Sequence, residues 1–352
     1  MEVYDGETMS HSFRSVVRLR HSELKRIWIL VFVLAVLRAG ASAQNPLDNV
    51  HITPRNEVAA AGEPDGPAYA SAGVIRPVIK KSVDLVLVPV TVTDPMQRLV
   101  KGLTQDNFQV FENKKQQEIK HFSSEDAPVS LGIIVDTSGS MATKMDRVRE
   151  AIKQFCAFSN PQDEFFVITF SEEPQLVHNF SDSPDDLEGK LLFAIPKGRT
   201  ALLDAIYMGI RKMRDAKYSK KALLIISDGG DNHSRYSERE VKSAVKESDV
   251  MIYAIGTFDR NVSTLEEMLG PQLLSEIAEI TGGHAFIVDD LVQMPVLARR
   301  IGIELRIQYV LGYRPENSGH DGKWHKISVK LKLPRKLALL QARAKTGYYG
   351  SE

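Results

Sequence analysis

Cysteine is nearly absent from this chain: there is one, Cys156, in 352 residues. A disulfide within the chain is therefore impossible, so the folded parts have to rely on their hydrophobic cores. Around Cys156, Val148, Ile152 and Phe155 recur at helical spacing. This pattern predicts a buried apolar thiol rather than a nucleophile.

The chain also lacks an excess of charge of either sign. Lysine plus arginine and aspartate plus glutamate both number 45, so the formal net charge is zero. A balanced chain creates no overall field that would attract nucleic acid or anionic lipid. We therefore expect no nucleic-acid partner.

Several motifs that carry chemistry are missing. No Gly-x-x-x-x-Gly-Lys-Ser/Thr loop is present, which excludes the commonest phosphate-binding loop. The histidines at His178, His233 and His284 lack the paired spacing of a zinc site. We expect neither a nucleotide nor zinc.

Long apolar runs are scarce, apart from 11 residues at 27–37. Basic residues precede this run, and the small residues Ala41-Ser42-Ala43 follow it. The pattern predicts a signal peptide over 1–43 and export to the periplasm, cell envelope or medium, with no membrane span after cleavage. The alternative is an amino-terminal membrane anchor, although the run is short for a span. An exported chain without disulfides favours a bacterial envelope protein.

Beyond the leader, composition changes along the chain. Residues 44–80 are rich in Ala, Gly, Pro and Asn and predict a linker. We expect an amino-terminal β segment at 81–125, an α/β domain at 126–296, and a carboxyl-terminal helix and β segment at 297–352 that packs with 81–125.

The α/β domain is predicted from alternating apolar strands and amphipathic helices. The expected fold class is a doubly wound, mainly parallel sheet with a small β module from the flanking segments. The short link Glu172-Glu173-Pro174 allows only a hairpin, so the strand that follows it should be an antiparallel edge. The predicted strands are 130–136, 165–170, 174–180, 222–227, 250–256 and 284–288; the predicted helices are 143–158, 184–194, 201–216, 236–248, 271–281 and 291–303.

The flanking segments show the two-residue period of β strands. After Pro89 the alternation shifts phase, which predicts a bulge or an edge position there. A hairpin is expected to turn near Asn113, and carboxyl-terminal strands at 306–313, 324–333 and 337–344. Each set has too few strands to stand alone, so we expect the two sets to pair.

Oxygen-bearing side chains follow two of the predicted buried strands. Asp136, Ser138 and Ser140 end the first of these strands, Thr200 lies in a glycine-containing loop before a helix, and Asp228 ends the second. Ligands bind beyond the carboxyl ends of strands in open α/β sheets, and oxygen ligands with few carboxylates suit Mg²⁺ or Mn²⁺. For the Asp-x-Ser-x-Ser part alone, the competing interpretation is a helix-capping turn.

These five residues resemble the metal-ion-dependent adhesion site of von Willebrand factor type A domains, in the same order. The closing segments, including Gly322-Lys-Trp-His and Thr346-Gly-Tyr-Tyr, resemble acidobacterial proteins related to that family. The resemblance implies that the hydroxyls of Ser138, Ser140 and Thr200 touch the cation directly. It also implies that Asp136 and Asp228 hold the cation largely through water, and that one position stays open for an acidic group of a partner protein.

Two function classes follow. The first is an exported, non-enzymatic protein-binding module for adhesion or scaffolding. The second is a metal-dependent hydrolase or phosphotransferase with Asp136 as nucleophile, although no second aspartate, Ser/His/Asp set or Cys/His set accompanies it. Asp231 is either part of an acidic rim or a capping residue.

Overall fold

The computed structural model describes residues 85–183, 195–228, 230–257, 265–315, 321–333 and 339–350. The expected signal peptide, the linker and the predicted helix at 184–194 lie outside these ranges. Among the helices in the described part of the chain, none is long and apolar enough to cross a membrane.

A central sheet of six strands has the order β10-β9-β8-β5-β6-β7. All neighbours are parallel except β6 and β7, so β7 is the antiparallel edge that the short link predicts. The predicted fold class is confirmed. The strands are β5 Ser130–Asp136, β6 Glu164–Phe170, β7 Pro174–Ser181, β8 Lys221–Ser227, β9 Val250–Thr257 and β10 Ala285–Val288.

Helices cover both faces of this sheet. Along β5, Ile133 and Val135 belong to one core and Ile134 to the other, because successive side chains point to opposite faces. Burial on both faces explains why the strand carries no polar side chain from Leu131 to Val135. The helices are α1 Met145–Cys156, α2 Leu202–Lys212, α3 Glu238–Glu247, α4 Leu265–Ile280 and α5 Met294–Arg306.

Two helix boundaries differ from the prediction. Helix α4 begins at Leu265, and Pro271, the predicted start, lies inside it. Helix α5 continues to Arg306, into the predicted strand 306–313. Its side chains Ala298, Ile301 and Leu305 join the same core as α1, so the α/β domain continues past 296 through the whole of α5.

The flanking segments form two four-stranded sheets that share one core. Their orders are β13-β1-β11-β4 and β14-β12-β2-β3, so each sheet contains strands from both ends of the chain, and the strands from the two ends alternate in the first. Val88, Val110, Leu311 and Ile327 meet in the core between them. The strands are β1 Val86–Thr93, β2 Phe108–Glu112, β3 Lys115–Gln117, β4 Ile119–Ser123, β11 Tyr309–Tyr313, β12 Trp324–Leu331, β13 Gln341–Ala344 and β14 Gly347–Tyr349.

Of the two alternatives predicted at Pro89, the bulge is absent and the edge position is present; the predicted hairpin is also found, together with one further strand. Strand β1 pairs in unbroken register with β11 and has no bulge; Val88, Val90 and Val92 face the core in one phase. Pro89 is tolerated where β13 does not reach, because that pairing begins at Val90. The hairpin at Asn113 is confirmed, with positive φ at Asn113 and Lys114. Strand β14 was not predicted.

A buried ion pair joins α5 to the sandwich. Arg343 on β13 donates to Glu304 Oε1 at 2.6 Å, and the Tyr253 hydroxyl donates to the same oxygen at 2.8 Å. Glu304 is fully buried, so its charge depends on these partners. Beside this pair, the Thr346 amide donates to the carbonyl of Ile280 at 3.1 Å.

The close contact between Gly282 and the backbone of Ala344 leads to a first prediction. Gly282 has φ +82°, and an added Cβ would lie 2.5 Å from the carbonyl carbon of Ala344. Gly102 has the same φ with no atom within 4 Å of such a Cβ. We expect Gly102→Ala to lower the free energy of unfolding by about 1 kcal/mol, the cost of positive φ alone. Gly282→Ala should lower it by at least about 3 kcal/mol in urea denaturation, and equal losses would contradict the contact.

Within the sandwich, His325 lies between two carboxylates. Its Nδ1 is 2.9 Å from Glu112 Oε1 and its Nε2 is 2.9 Å from Asp321 Oδ1. Asn113 Nδ2 lies 3.4 Å from the same Nδ1, and the ring stacks on Tyr348, whose hydroxyl donates to Glu112. Both nitrogens face acceptors, so the protonated imidazolium fits best, and the hydrogen bonds to Asp321 and Glu112 raise the pKa of His325.

The second prediction is a pH dependence. Because the folded-state pKa of His325 is raised, its contribution to stability is complete below the unfolded pKa of about 6.5. It is lost as the pH rises through the folded pKa. We expect His325→Gln to destabilise the protein more at pH 6 than at pH 9 in thermal melts, and the exposed His121→Gln to show no such difference. A loss independent of pH would contradict the imidazolium.

Candidate functional site

Asp136 ends β5 and is fully buried. Its Oδ1 accepts from the Ser138 amide at 2.8 Å, and its Oδ2 accepts from the Ser227 hydroxyl at 2.6 Å. Burial raises the pKa of Asp136 to about 6, and the negative charge of Asp228 adds to the rise. The two predicted carboxylates are therefore close enough to interact.

The hydroxyl oxygens of Ser138 and Ser140 lie 3.1 Å apart at the start of a single 3₁₀ turn, Gly139–Met141. Ser138 stands at the N-cap position of this turn, but its side chain makes no capping hydrogen bond. Helix α1 has Lys144 at its N-cap, also without a side-chain cap. The capping interpretation of these serines is therefore not what the structure shows.

Thr200 is buried in the loop before α2, against the loops that carry the other candidates. Its amide donates to Asn232 Oδ1 at 3.0 Å, and its carbonyl accepts from the Asn232 amide at 3.0 Å. The Gly139 amide donates to the Gly198 carbonyl at 3.2 Å. These bonds bring the loops after β5 and β8 and the loop before α2 to one edge of the sheet.

Asp228 follows β8, and its Oδ2 accepts from Lys144 Nζ at 2.9 Å. Three residues that were not predicted from the sequence hold the candidate side chains in place: Lys144, Ser227 and Asn232. Ser227 and Asn232 lie within four residues of Asp228, so proximity along the chain was the available signal. For Lys144 no such signal was available, because its partner Asp228 lies 84 residues away along the chain.

Asp231 caps a helix. Its Oδ2 accepts from the Leu203 amide at 2.8 Å in the first turn of α2, and from the Ser234 hydroxyl at 2.5 Å. The capping interpretation is therefore the one that the structure supports. The carboxylate accepts a hydrogen bond from an amide in the first turn of the helix, which has no partner within the helix. Negative charge is also favourable at a helix N-terminus.

The three histidines that were set aside are dispersed. His178 lies on β7, His233 is exposed beside Asn232, and His284 precedes β10, where burial and Arg343 lower its pKa to about 4. In the described ranges, no group of three or more His, Cys, Asp or Glu side chains is placed to hold a metal. The five candidate residues do not form such a group, because three of them are hydroxyl residues and only two are carboxylates. Cys156, predicted as a buried thiol, is partly buried against the core at the end of α1, and burial raises its pKa to about 12.

The fold and the candidate site define a class of protein. It is a doubly wound α/β domain whose oxygen-bearing side chains lie beyond the carboxyl ends of its strands. Residues 131–300 match the family model described as "von Willebrand factor type A domain". The chain therefore contains a von Willebrand factor type A domain. No curated protein matches the chain.

Solved structures resemble parts of the chain at low identity. A von Willebrand factor type A protein from Catenulispora acidiphila is 14% identical with a TM-score of 0.46, covering 77% of this chain and 64% of that one. BatB from Bacteroides thetaiotaomicron is 18% identical with a TM-score of 0.41, covering 50% and 98%. The vWF domain of the type V pili tip protein Mfa5 from Porphyromonas gingivalis is 12% identical with a TM-score of 0.40, covering 51% and 97%.

The third prediction separates the two interpretations of Asp231. Asp231→Ala removes the acceptor for the Leu203 amide, so we expect a loss of about 1 kcal/mol in the free energy of unfolding. Asp231→Asn keeps an oxygen acceptor and should lose less than half of that. Calorimetric Mg²⁺ titration of both variants should match that of the wild type; weakened Mg²⁺ binding in both would assign Asp231 to the site instead.

Proposed function

We propose that this protein is a metal-dependent protein-binding module in which Mg²⁺ or Mn²⁺ captures an acidic side chain of a partner. The observation that carries this is the buried Asp136 beside two serine oxygens 3.1 Å apart at the carboxyl edge of the sheet. Octahedral Mg²⁺ at about 2.1 Å from its ligands places neighbouring ligand oxygens about 3 Å apart. The serine pair fits that spacing.

The residues have distinct roles in the proposed site. Ser138, Ser140 and Thr200 would hold the cation through neutral hydroxyls, and Asp136 and Asp228 would hold it largely through water. Because hydroxyls neutralise no charge, the cation keeps much of its attraction for an external carboxylate. Ser227 and the Ser138 amide orient Asp136, and Asn232 fixes the Thr200 loop.

A binding role fits Asp136 better than a nucleophilic role. A nucleophilic carboxylate needs an oxygen that can reach the substrate, whereas Asp136 is fully buried and both of its oxygens accept hydrogen bonds. The hydrolase or phosphotransferase alternative would require a substrate atom to reach this buried carboxylate directly. We therefore propose a non-enzymatic adhesion or scaffold module.

The proposed partner is a protein that presents an aspartate or glutamate, and the proposed location is the bacterial periplasm, cell envelope or medium. The basic and apolar leader within 1–43 supports export. A pull-down from envelope extracts in Mg²⁺, compared with EDTA, tests this part: a partner retained equally in both would contradict metal-dependent capture.

The fourth prediction tests the metal. Mg²⁺ at a hundred times its Kd should stabilise the wild type by about 2.7 kcal/mol, because it binds only the folded state. Asp136→Ala should lose this stabilisation and its calorimetric Mg²⁺ signal while remaining folded by circular dichroism. The control is Asp106→Ala, an exposed carboxylate in the sandwich, which should keep both. Equal stabilisation of wild type and Asp136→Ala by Mg²⁺ would contradict the proposal.

A further inference from the structure

Lys144 occupies an unusual position for a lysine. It is the N-cap residue of α1, and its carbonyl accepts from the Arg147 and Val148 amides at 3.0 Å each. The N-terminus of a helix carries partial positive charge, so a cation there is unfavourable, and N-caps favour Ser, Thr, Asp and Asn. The local helix therefore gives no reason for a lysine.

Lys144 instead forms an ion pair with Asp228, which follows β8. Lys144 Nζ is 2.9 Å from Asp228 Oδ2, and the two side chains are only 17% and 12% exposed. An ion pair shielded to this degree is weakened less by salt than a surface pair. The ion pair and the low exposure of both side chains keep the ammonium beside Asp228.

The ammonium changes the charge of the candidate site. With both carboxylates ionised, Asp136 and Asp228 contribute two negative charges, and Lys144 reduces the total to one. A bound divalent cation then leaves one net positive charge, whereas without Lys144 the loaded site would be neutral. Like charges repel, so Lys144 opposes the metal and favours an anionic ligand on it.

We infer that Lys144 is a built-in competing cation that weakens metal binding and leaves the loaded site positively charged for an acidic partner. This inference rests on the proposed function, because it assigns a role at the same site. It makes the metal affinity a property of α1 as well as of the five candidate oxygens. Lys144 is a positioning and charge-setting residue and not a metal ligand.

The test is calorimetric titration with Mg²⁺ and Mn²⁺ at pH 7.5 of the full chain. Lys144→Gln keeps a polar side chain without charge and should bind about ten-fold more tightly, equivalent to 1.4 kcal/mol. Lys144→Arg keeps the charge and should stay within about three-fold of the wild type. Lys153→Gln, an exposed lysine of the same helix, should be unchanged.

The outcomes separate this inference from the proposed function. Unchanged or weaker metal binding by a folded Lys144→Gln overturns the inference while the wild type still binds Mg²⁺. Binding by Lys144→Gln where the wild type shows none supports it in its strongest form. Absence of binding in both, with each variant folded by circular dichroism, overturns both proposals.

Discussion

A buried carboxylate at the end of the central strand is the constraint around which this domain is arranged. Removing a charge from water costs several kcal/mol unless partners compensate, and Asp136 has a backbone amide and the Ser227 hydroxyl for this purpose. Those partners require the loop after β5 to turn back at Ser138 and β8 to end level with β5. The loop of Thr200 is fixed separately, by the hydrogen bond of its amide to Asn232.

The other end of the domain is fixed by a second set of buried charges. Glu304 on α5 pairs with Arg343 of the sandwich, and Arg306 at the end of the same helix lies 3.0 Å from the buried Asp163. The Lys220 ammonium donates to the Leu305 carbonyl. Helix α5 is thus held between the α/β sheet and the sandwich by pairs that cost energy to separate. The sandwich acts as a support continuous with the domain.

Much of the architecture could be predicted from the pattern of apolar residues. A strand buried on both faces is a continuous apolar run, and a strand buried on one face alternates apolar and polar residues. The run ending at Asp136 specified β5, and the link at Glu172-Glu173-Pro174 specified the antiparallel edge. The same reasoning was wrong about a bulge at Pro89, although the edge position predicted as its alternative is found, and Leu87 on the solvent face obscured the single phase of Val88, Val90 and Val92. It also failed at the end of α5, because Arg306 is a long-range ion-pair partner and local propensity carries no information about Asp163.

At the candidate site, the sequence supplied the oxygens but not the residues that hold them. Asp-x-Ser-x-Ser has a recognisable spacing, whereas the contacts of Asn232 with Thr200 and of Lys144 with Asp228 join segments 32 and 84 residues apart. Such contacts follow from the arrangement of loops in three dimensions. The cap made by Asp231 is also a long-range contact, because its partner is the Leu203 amide, 28 residues earlier in the chain.

The central claim is that the three hydroxyls hold a divalent cation. Crystals soaked in Mn²⁺ test it most directly, because anomalous scattering locates the metal without assumption. One strong peak is expected about 2.2 Å from the hydroxyl oxygens of Ser138, Ser140 and Thr200, and farther from Asp136 and Asp228. A peak elsewhere on the domain, or a site that stays without anomalous density at Mn²⁺ concentrations that saturate the protein in solution, would contradict it.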